Sequence, residues 1–224
     1  MTITVYSVSG APRGWRVLLG LTFKGLNYET KYLEASKGEH KSEPFLTLNP
    51  RGTVPVLVQD DFILRDSLGI LAWLDSAYPE KPLFGRTLSE TANVWQITLE
   101  CCDYLRAAIN DLLAPILVRG EALPEAGTPE RLAWETAAAA YHKECNYLEN
   151  LLAKNPFLAS DVPSAADAVA FPEVRLIERA VDTKPDIMKA LGLHDTDDTY
   201  PRIAAWKKQI SALPGFDSTL PRHW

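Results

Sequence analysis

The first eighty residues alternate between short strand patterns and helical patterns, and this order restricts the possible folds more than any other feature of the chain. The β-branched segment 2–7 predicts a strand, and residues 28–33 predict a second one. Between them, Val17, Leu18 and Leu21 recur at helical spacing. A strand–helix–strand unit of about 30 residues predicts two parallel strands with a right-handed connection.

A second group of patterns follows in the order strand, strand, helix. Residues 54–58 and 62–64 are short apolar runs separated by a turn, which favours a hairpin. Pro55 lies at the start of the first run, where a residue that cannot donate to a sheet is tolerated. Residues 66–78 then predict a helix, which Pro79 ends.

Beyond residue 88 the chain has helical patterns and no convincing strand. Residues 79–85 hold two prolines and a glycine and are the best linker candidate. We expect an α/β domain at residues 1–80, a linker at 81–88 and an all-helical domain at 89–224. The expected helices cover residues 91–118, 130–153, 164–180, 185–191 and 201–213.

The composition argues against several kinds of partner. A net charge of -6 and a pI of about 5.3 give no overall attraction for phosphate backbones or anionic lipid, so nucleic-acid and membrane partners are not expected. Cys101, Cys102 and Cys145 show neither a CxxC pair nor zinc spacing, so no metal is predicted and a reducing compartment is favoured. The first residues lack a signal-peptide pattern, and no apolar run approaches the roughly 20 residues that span a bilayer. We expect a cytoplasmic protein.

Two short motifs point to a peptide-like ligand. If the Val54–Pro55 bond is cis, the backbone N–H and C=O of Val54 are free to pair with an extended peptide. An ordinary trans proline that opens an edge strand is the alternative. Asp66 and Ser67 begin the predicted helix, where the alternatives are simple N-capping and ligand binding. Ser67 suits a ligand carboxylate and Asp66 a ligand ammonium.

His40 is a third candidate in the same region. It lies shortly before the Asn49–Pro50 turn, from which it is expected to reach a carboxylate near Val54 as a donor. A solvated surface histidine is the alternative. Lys41 and Arg51 add local positive charge to an otherwise acidic chain.

These motifs occur in the order found in cytosolic glutathione transferases. Residues 38–57 (GEHKSEPFLTLNPRGTVPVL) and 64–79 (LRDSLGILAWLDSAYP) resemble the glutathione site of the theta-, delta- and zeta-like classes and their bacterial relatives. Residues 163–169 (PSAADAV) resemble the capping box of the family's central helix, and residues 200–216 resemble its last helix. The resemblance therefore covers nearly the whole chain.

The resemblance implies a thioredoxin-like N-terminal domain that binds glutathione and an all-helical C-terminal domain that contributes the electrophile site. It implies that Pro55 is cis and that Val54 pairs with the cysteinyl backbone of glutathione. It also implies that Asp66–Ser67 binds the γ-glutamyl end. His40, together with Thr53, is expected to hold the glycine end, although many members carry lysine in place of Thr53.

The chain departs from the family at the position that activates the thiol. The family places a serine or cysteine about five residues before an Arg-Val pair, and counting back from Arg16–Val17 gives Ala11. Three substitutes are open: the Ser9 hydroxyl, the Arg13 charge, and the backbone N–H groups of the first helical turn. Ser9 as a turn cap and Arg13 as a solvated charge are the alternatives. The lack of a cysteine here argues against thiol–disulfide chemistry.

The second substrate is expected to be electrophilic and apolar. Its pocket is expected between residues 11–15 and the first long helices, with ordinary interhelical core as the alternative for most of its residues. The residues considered are Trp95, Cys102, Tyr104, Leu105 and 112–118.

The sequence therefore predicts a glutathione transferase that joins the glutathione thiolate to a small hydrophobic electrophile, namely an epoxide, a halide or an activated alkene. A glutathione-dependent isomerase of the maleylacetoacetate type and a weakly catalytic glutathione- or ligand-binding protein are the alternatives. The resemblance also implies a detoxification role and a homodimer. No metal is part of the expected chemistry.

Overall fold

A computed structural model describes residues 2–222 of the chain, and its sheet has four strands in the order β2-β1-β3-β4. The strands are β1 (Ile3–Ser7), β2 (Tyr28–Tyr32), β3 (Val56–Gln59) and β4 (Phe62–Arg65). β1 and β2 are parallel, whereas β1 and β3, and β3 and β4, are antiparallel. The predicted crossover unit and the predicted hairpin are therefore confirmed.

Helix α1 (Pro12–Lys24) connects β1 to β2. It buries Val17, Leu18 and Leu21, the residues whose spacing predicts the helix. Gly25 follows at a φ of 69°, and its N–H bonds to two carbonyls of the last turn. A left-handed residue in this position favours glycine, so the helix ends where the sequence indicates.

Two further helices belong to the first part of the chain. α3 (Ser67–Ala77) matches the predicted helix 66–78 to within one residue at each end. The sequence pattern does not predict α2 (Glu43–Leu48), because its 6 residues are too few to show a helical period. Phe45 of α2 is buried, and its ring lies 6.1 Å from the ring of Tyr6 in β1. Tyr6 therefore packs against α2.

The segment between α3 and the later helices is held by specific contacts. Lys24 Nζ donates to the Lys81 carbonyl at 2.7 Å, and the Leu83 N–H bonds to the Asp75 carboxylate. The Leu83 carbonyl accepts the N–H of Ala165 at 2.9 Å. Leu83 itself is buried. The predicted linker is thus fixed to both parts of the chain, while the exact domain limits stay a prediction.

The chain from residue 88 to 211 contains helices and no strand, as predicted. Two π-helical turns, Cys101–Leu105 and Ala114–Val118, interrupt the expected helix 91–118. No helix of residues 2–222 is both long and apolar enough to cross a membrane. The helices are α4 (Leu88–Glu100), α5 (Arg106–Leu113), α6 (Pro129–Leu152), α7 (Ala165–Thr183), α8 (Pro185–Ala190), α9 (Thr196–Thr199) and α10 (Pro201–Ser211).

Asp167, in the first turn of α7, joins three segments of the helical part. Its buried carboxylate accepts the Leu158 N–H at 2.9 Å, the Ser164 N–H at 2.9 Å and the Trp206 Nε1–H at 2.8 Å. The Ser164 hydroxyl donates to it at 2.7 Å, and the predicted capping box is present. Burial raises the pKa of Asp167, and the donors partly offset that effect.

Loss of the Asp167 carboxylate should destabilise the protein more than loss of the Ser164 hydroxyl. Asp167→Ala leaves three buried N–H groups without an acceptor, so we expect the free energy of unfolding to fall by about 3 kcal/mol or more. Ser164→Ala should cost about 1 kcal/mol. Urea denaturation measures both, with the exposed Asp161→Ala as the control, which should stay within about 0.5 kcal/mol of the wild type. Equal losses in all three variants would contradict the role given to Asp167.

Candidate functional site

The strand registers bring several chain segments to one end of the sheet. Tyr6 of β1 pairs with Val56 of β3, and Val56 pairs with Arg65 of β4. Ser7 pairs with Tyr32, the last residue of β2. The loop after β1, the residues before β3 and the start of α3 therefore lie side by side. These segments carry the predicted site residues Ser9, Arg13, Val54, Pro55, Asp66 and Ser67.

The Val54–Pro55 peptide bond is cis, as the resemblance implies. Pro55 is buried and Val54 is half-buried. Within residues 2–222, the backbone N–H and C=O of Val54 have no hydrogen-bond partner. Two free backbone groups beside a strand are able to pair with an extended peptide.

Asp66 and Ser67 occupy the start of α3, and only Asp66 caps it. Asp66 has a φ of 68°, and its Oδ1 accepts the Leu68 N–H at 2.9 Å, which confirms the N-cap interpretation. Asp66 is exposed, so its second oxygen is free to contact a ligand. Ser67 is 2% exposed, and its N–H and hydroxyl bond to no other group of the described chain. The pair therefore offers hydrogen-bond donors for an anion, on Ser67, next to a carboxylate that is able to bind a cation, on Asp66.

A separate set of contacts brings His40 close to Thr53. Asn49 is buried, and its Nδ2 donates to the Thr53 carbonyl at 2.6 Å and to the Thr53 hydroxyl at 3.1 Å. Gly52 has a φ of 58°, and a Cβ at this position would lie 2.8 Å from the His40 carbonyl oxygen. Only glycine fits between the two segments. His40 and Thr53 thus lie near each other just before the cis bond.

Helix α1 begins without a side-chain cap. Its N-cap residue is Ala11, and Pro12, which has no N–H, occupies the first helical position. The Ala11 N–H already bonds to the Val8 carbonyl at 3.0 Å. The N–H groups of Arg13 and Gly14 have no partner in the part of the chain that the structure describes. The positive end of the helix is therefore open to an anionic ligand.

The two candidate activating side chains have different surroundings. Arg13 is exposed in the first turn of α1 and forms no ion pair with any residue in the range 2–222. Ser9 is half-buried, and its hydroxyl oxygen accepts the backbone N–H of Arg222 at 2.9 Å. This contact with the far end of the chain has no signal in the local sequence.

Ser7, which belongs to no recognised motif, lies directly beneath the first turn of α1. It is 1% exposed, and a Cβ on Gly14 would lie 1.9 Å from its Oγ. Glycine at position 14 is what allows the helix to approach the end of β1 so closely. A glycine inside an apolar helical pattern is the one sequence signal for this contact.

A buried ion cluster connects α1 to the helical part of the chain. Arg16 Nη2 and Arg106 Nη1 both donate to Glu173 Oε1, at 2.7 Å and 2.6 Å. Arg16 Nη1 also lies 3.5 Å from Cys102 Sγ. Arg16 and Glu173 are almost fully buried, so loss of either would leave an uncompensated charge in the interior. Arg16 therefore has a structural role.

The cysteines of the chain are poor nucleophiles. Burial raises the pKa of Cys101 and of Cys102, and it raises the pKa of Cys145 to about 12. Thiols with raised pKa values are protonated at neutral pH, and the thiolate is the reactive form. A reactive sulfur at this site must therefore come from a ligand.

Most residues considered for the electrophile pocket belong to the core. Trp95 stacks on Phe84 with ring centroids 4.2 Å apart. Tyr104 and Val118 differ, because they are 64% and 82% exposed. The core interpretation therefore applies to the buried members, which are Leu105, Leu112, Leu113, Pro115 and Ile116.

Comparison with known proteins shows to which family the chain belongs. The family models for the N-terminal and C-terminal domains of glutathione S-transferase match residues 5–82 and 129–206. Glutathione S-transferase 1 of Dianthus caryophyllus is 34% identical over 174 residues, which are 76% of this chain and 75% of that protein. The chain belongs to the glutathione S-transferase family.

A further similar sequence and a similar solved structure support this fold and family. Maleylacetoacetate isomerase of Dictyostelium discoideum is 28% identical over 224 residues, covering 98% of this chain and 93% of that protein. The crystal structure of a glutathione S-transferase from the Antarctic clam Laternula elliptica matches with a TM-score of 0.83 and 29% identity, covering 100% and 94% of the two chains. The enzyme thus has a thioredoxin-like N-terminal domain and a helical C-terminal domain, and glutathione is its co-substrate. Among residues 2–222, no group of three or more His, Cys, Asp or Glu side chains could hold a metal ion.

The contact between Ser7 and Gly14 is open to a double-mutant test. Gly14→Ala should lower the free energy of unfolding by about 1–3 kcal/mol, because its methyl group overlaps the Ser7 hydroxyl. Ser7→Ala alone should cost about 1 kcal/mol or less. The double variant should recover part of the Gly14→Ala loss, since the overlapping oxygen is gone. Denaturant unfolding measures the free energy of unfolding of the wild type, the two single variants and the double variant. If the loss in the double variant equals the sum of the two single losses, the two side chains are not in contact.

Proposed function

We propose that this enzyme joins the glutathione thiolate to a small hydrophobic electrophile, such as an epoxide, a halide or an activated alkene. The observation that carries the proposal is the uncapped start of α1 at the same end of the sheet as the cis Val54–Pro55 bond. An uncapped helix start stabilises an anion, and free backbone groups beside a strand receive a peptide. A tripeptide thiolate requires both features together.

In this proposal glutathione lies across the end of the sheet. The Val54 backbone pairs with the cysteinyl residue of glutathione. The hydroxyl and N–H of Ser67 bind the γ-glutamyl carboxylate, and the free oxygen of Asp66 binds its ammonium. His40 and Thr53 hold the glycine carboxylate. This arrangement directs the cysteinyl sulfur toward the start of α1, which is the neighbouring segment.

Three groups at the start of α1 favour the ionised thiol. A free cysteine thiol has a pKa of about 8.5, so only a small fraction is thiolate at neutral pH. The unpaired N–H groups of Arg13 and Gly14 are donors to a thiolate, and the exposed Arg13 guanidinium adds positive charge. The Ser9 hydroxyl is the third group. Donors and positive charge both stabilise the charged form and lower the thiol pKa.

The proposed reaction forms one carbon–sulfur bond. With a halide, the thiolate sulfur attacks carbon and the carbon–halogen bond breaks, releasing the halide ion. With an epoxide, the carbon–oxygen bond breaks and the resulting alkoxide takes a proton from water. With an activated alkene, sulfur adds to one carbon as the carbon–carbon π bond breaks, and the resulting carbanion takes a proton from water. Because both substrates are bound at one site, the bimolecular reaction becomes effectively unimolecular, and this proximity lowers the activation barrier.

A glutathione-dependent isomerase is the second candidate, and the similarity to maleylacetoacetate isomerase favours it. In such a reaction glutathione adds and is later released, so it is not consumed. The segment Trp15–Arg16–Val17, which resembles that group, is accounted for here by packing, since Arg16 binds Glu173 and Trp15 binds Thr219. A protein that binds glutathione or other ligands with little catalysis is the third candidate, because Ala11 has no hydroxyl.

We also propose a homodimer that works in the cytoplasm. The resemblance to the family supports the dimer, and so does an apolar surface near the outer strand β4. Phe62 is exposed there, and its ring stacks on the half-buried Trp73 with ring centroids 5.1 Å apart. Apolar side chains grouped on a surface are typical of contacts between proteins.

Ser67→Ala should weaken glutathione binding and leave folding unchanged. The variant removes a hydroxyl bond to a ligand carboxylate, so we expect the Kd for glutathione to rise about tenfold. Isothermal titration calorimetry measures it, with the exposed Ser36→Ala as the matched control. A Ser67→Ala protein with the wild-type Kd would show that the γ-glutamyl end binds elsewhere.

Activity toward an epoxide, an aryl halide and an activated alkene tests the reaction itself. We expect the wild type to consume glutathione with at least one of them. Ala11→Ser should raise kcat/KM about tenfold, because it adds one donor to the thiolate at the N-cap. Ala139→Ser, on the exposed face of α6, is the control and should have no effect. Isomerisation of an unsaturated diacid without loss of glutathione would favour the isomerase, and no turnover of any kind would favour the binding protein.

A further inference from the structure

Residues 214–222, which we name the strap, run from the helical part of the chain back to the glutathione-binding part. Phe216 packs against Phe171 of α7, with ring centroids 5.5 Å apart. Thr219 Oγ1 accepts the Trp15 Nε1–H of α1 at 2.9 Å, and this contact is buried. The strap is therefore fastened to both α7 and α1 before it reaches its last described residue.

The strap ends on the loop that precedes α1. The Arg222 N–H donates to Ser9 Oγ at 2.9 Å. The Arg222 guanidinium lies over the Tyr32 ring, 4.5 Å from its centroid, and Pro221 is buried. A cation held against an aromatic face at this distance makes a favourable contact. Arg222 is thus held at its side chain by β2, while its amide faces Ser9.

This hydrogen bond restricts what the Ser9 hydroxyl can do. A serine hydroxyl has one proton and two acceptor positions. The Arg222 N–H occupies one acceptor position and cannot take the Ser9 proton. Within residues 2–222, no protein acceptor bonds to that proton. The Ser9 O–H is therefore free to donate to an anion, and a hydroxyl that already accepts an N–H is the stronger donor.

We propose that Arg222 is a positioning residue for thiol activation, since its backbone N–H orients the Ser9 O–H toward the glutathione sulfur at the start of α1. The inference rests on the proposed function, in which a thiolate lies there. Ser9 then supplies the hydroxyl that Ala11 lacks. The residue that orients the Ser9 O–H is 213 positions away in sequence, so the last described segment of the helical domain takes part in activating glutathione.

The test is the pKa of enzyme-bound glutathione, measured by the ultraviolet absorbance of the thiolate across pH. The variants are Ser9→Ala, Arg222→Pro, Arg222→Ala and the double variant Ser9→Ala with Arg222→Pro. Proline removes the amide N–H, whereas alanine removes only the guanidinium. Thermal unfolding checks the folding of each protein. If Arg222→Pro does not fold, a chain that ends at Pro221 removes the same amide.

We expect the wild type to lower the bound-thiol pKa. Ser9→Ala and Arg222→Pro should each reduce the thiolate fraction at a pH below that value by up to about tenfold. The double variant should be no worse than either single variant, and Arg222→Ala should have the smaller effect. Arg222 acting only as a structural support would instead give additive losses.

Two results would overturn the inference. If Ser9→Ala raises the bound-thiol pKa and Arg222→Pro does not, Ser9 acts without the strap. If the wild type lowers the pKa and neither substitution changes it, Ser9 is not a donor, and the proposed function stands on the N–H groups of α1. A wild type that leaves the glutathione pKa at its solution value overturns the proposed function itself.

Discussion

The pairing of β1 with strands on both sides is the constraint on which the rest of the structure depends. Ser7 pairs with Tyr32 and Tyr6 pairs with Val56, so the carboxyl end of β1 lies between the end of β2 and the start of β3. The antiparallel pairing of β3 with β4 then adds the start of α3 to the same edge. Segments that are distant in sequence thereby become neighbours, and a tripeptide is able to contact all of them at once.

Helix α1 contacts both the sheet and the helical domain. At its first turn, Gly14 lets the helix approach Ser7. Further along, Trp15 meets Phe171 edge to face at 5.5 Å, and Arg16 binds Glu173 in the interior. Gly14, Trp15 and Arg16 are consecutive residues. The start of α1 is therefore fixed by contacts with the sheet and by contacts with α7. A rigid helix start is what an anion site made of backbone N–H groups requires, because such donors have no rotamers with which to adjust.

Local patterns predict the parts of the site whose chemistry is local. Asp66 caps the helix that it precedes, as a few neighbouring residues indicate, whereas the cis bond at Pro55 follows from the family resemblance and not from the local spacing. The contact of Arg222 with Ser9 and the pairing of Arg16 with Glu173 join positions 213 and 157 residues apart. Periodicity carries no information about such contacts. The other elements of the first domain are predictable one by one, whereas α2 is too short to show a helical period and the π-turns in the long helix are not predicted.

The uncapped start of α1 has a physical consequence for the proposed activation of the thiol. A serine at position 11 is able to donate its hydroxyl proton to a thiolate while its oxygen accepts an N–H of the first turn. With Ala11, the N–H groups of Arg13 and Gly14 both remain unpaired. In the proposed mechanism, stabilisation of the thiolate is then shared among several weak donors, each of which lowers the pKa by its own amount. In such a site the position of each donor matters more than its identity, and a hydroxyl held by a backbone amide from the other domain is consistent with that requirement.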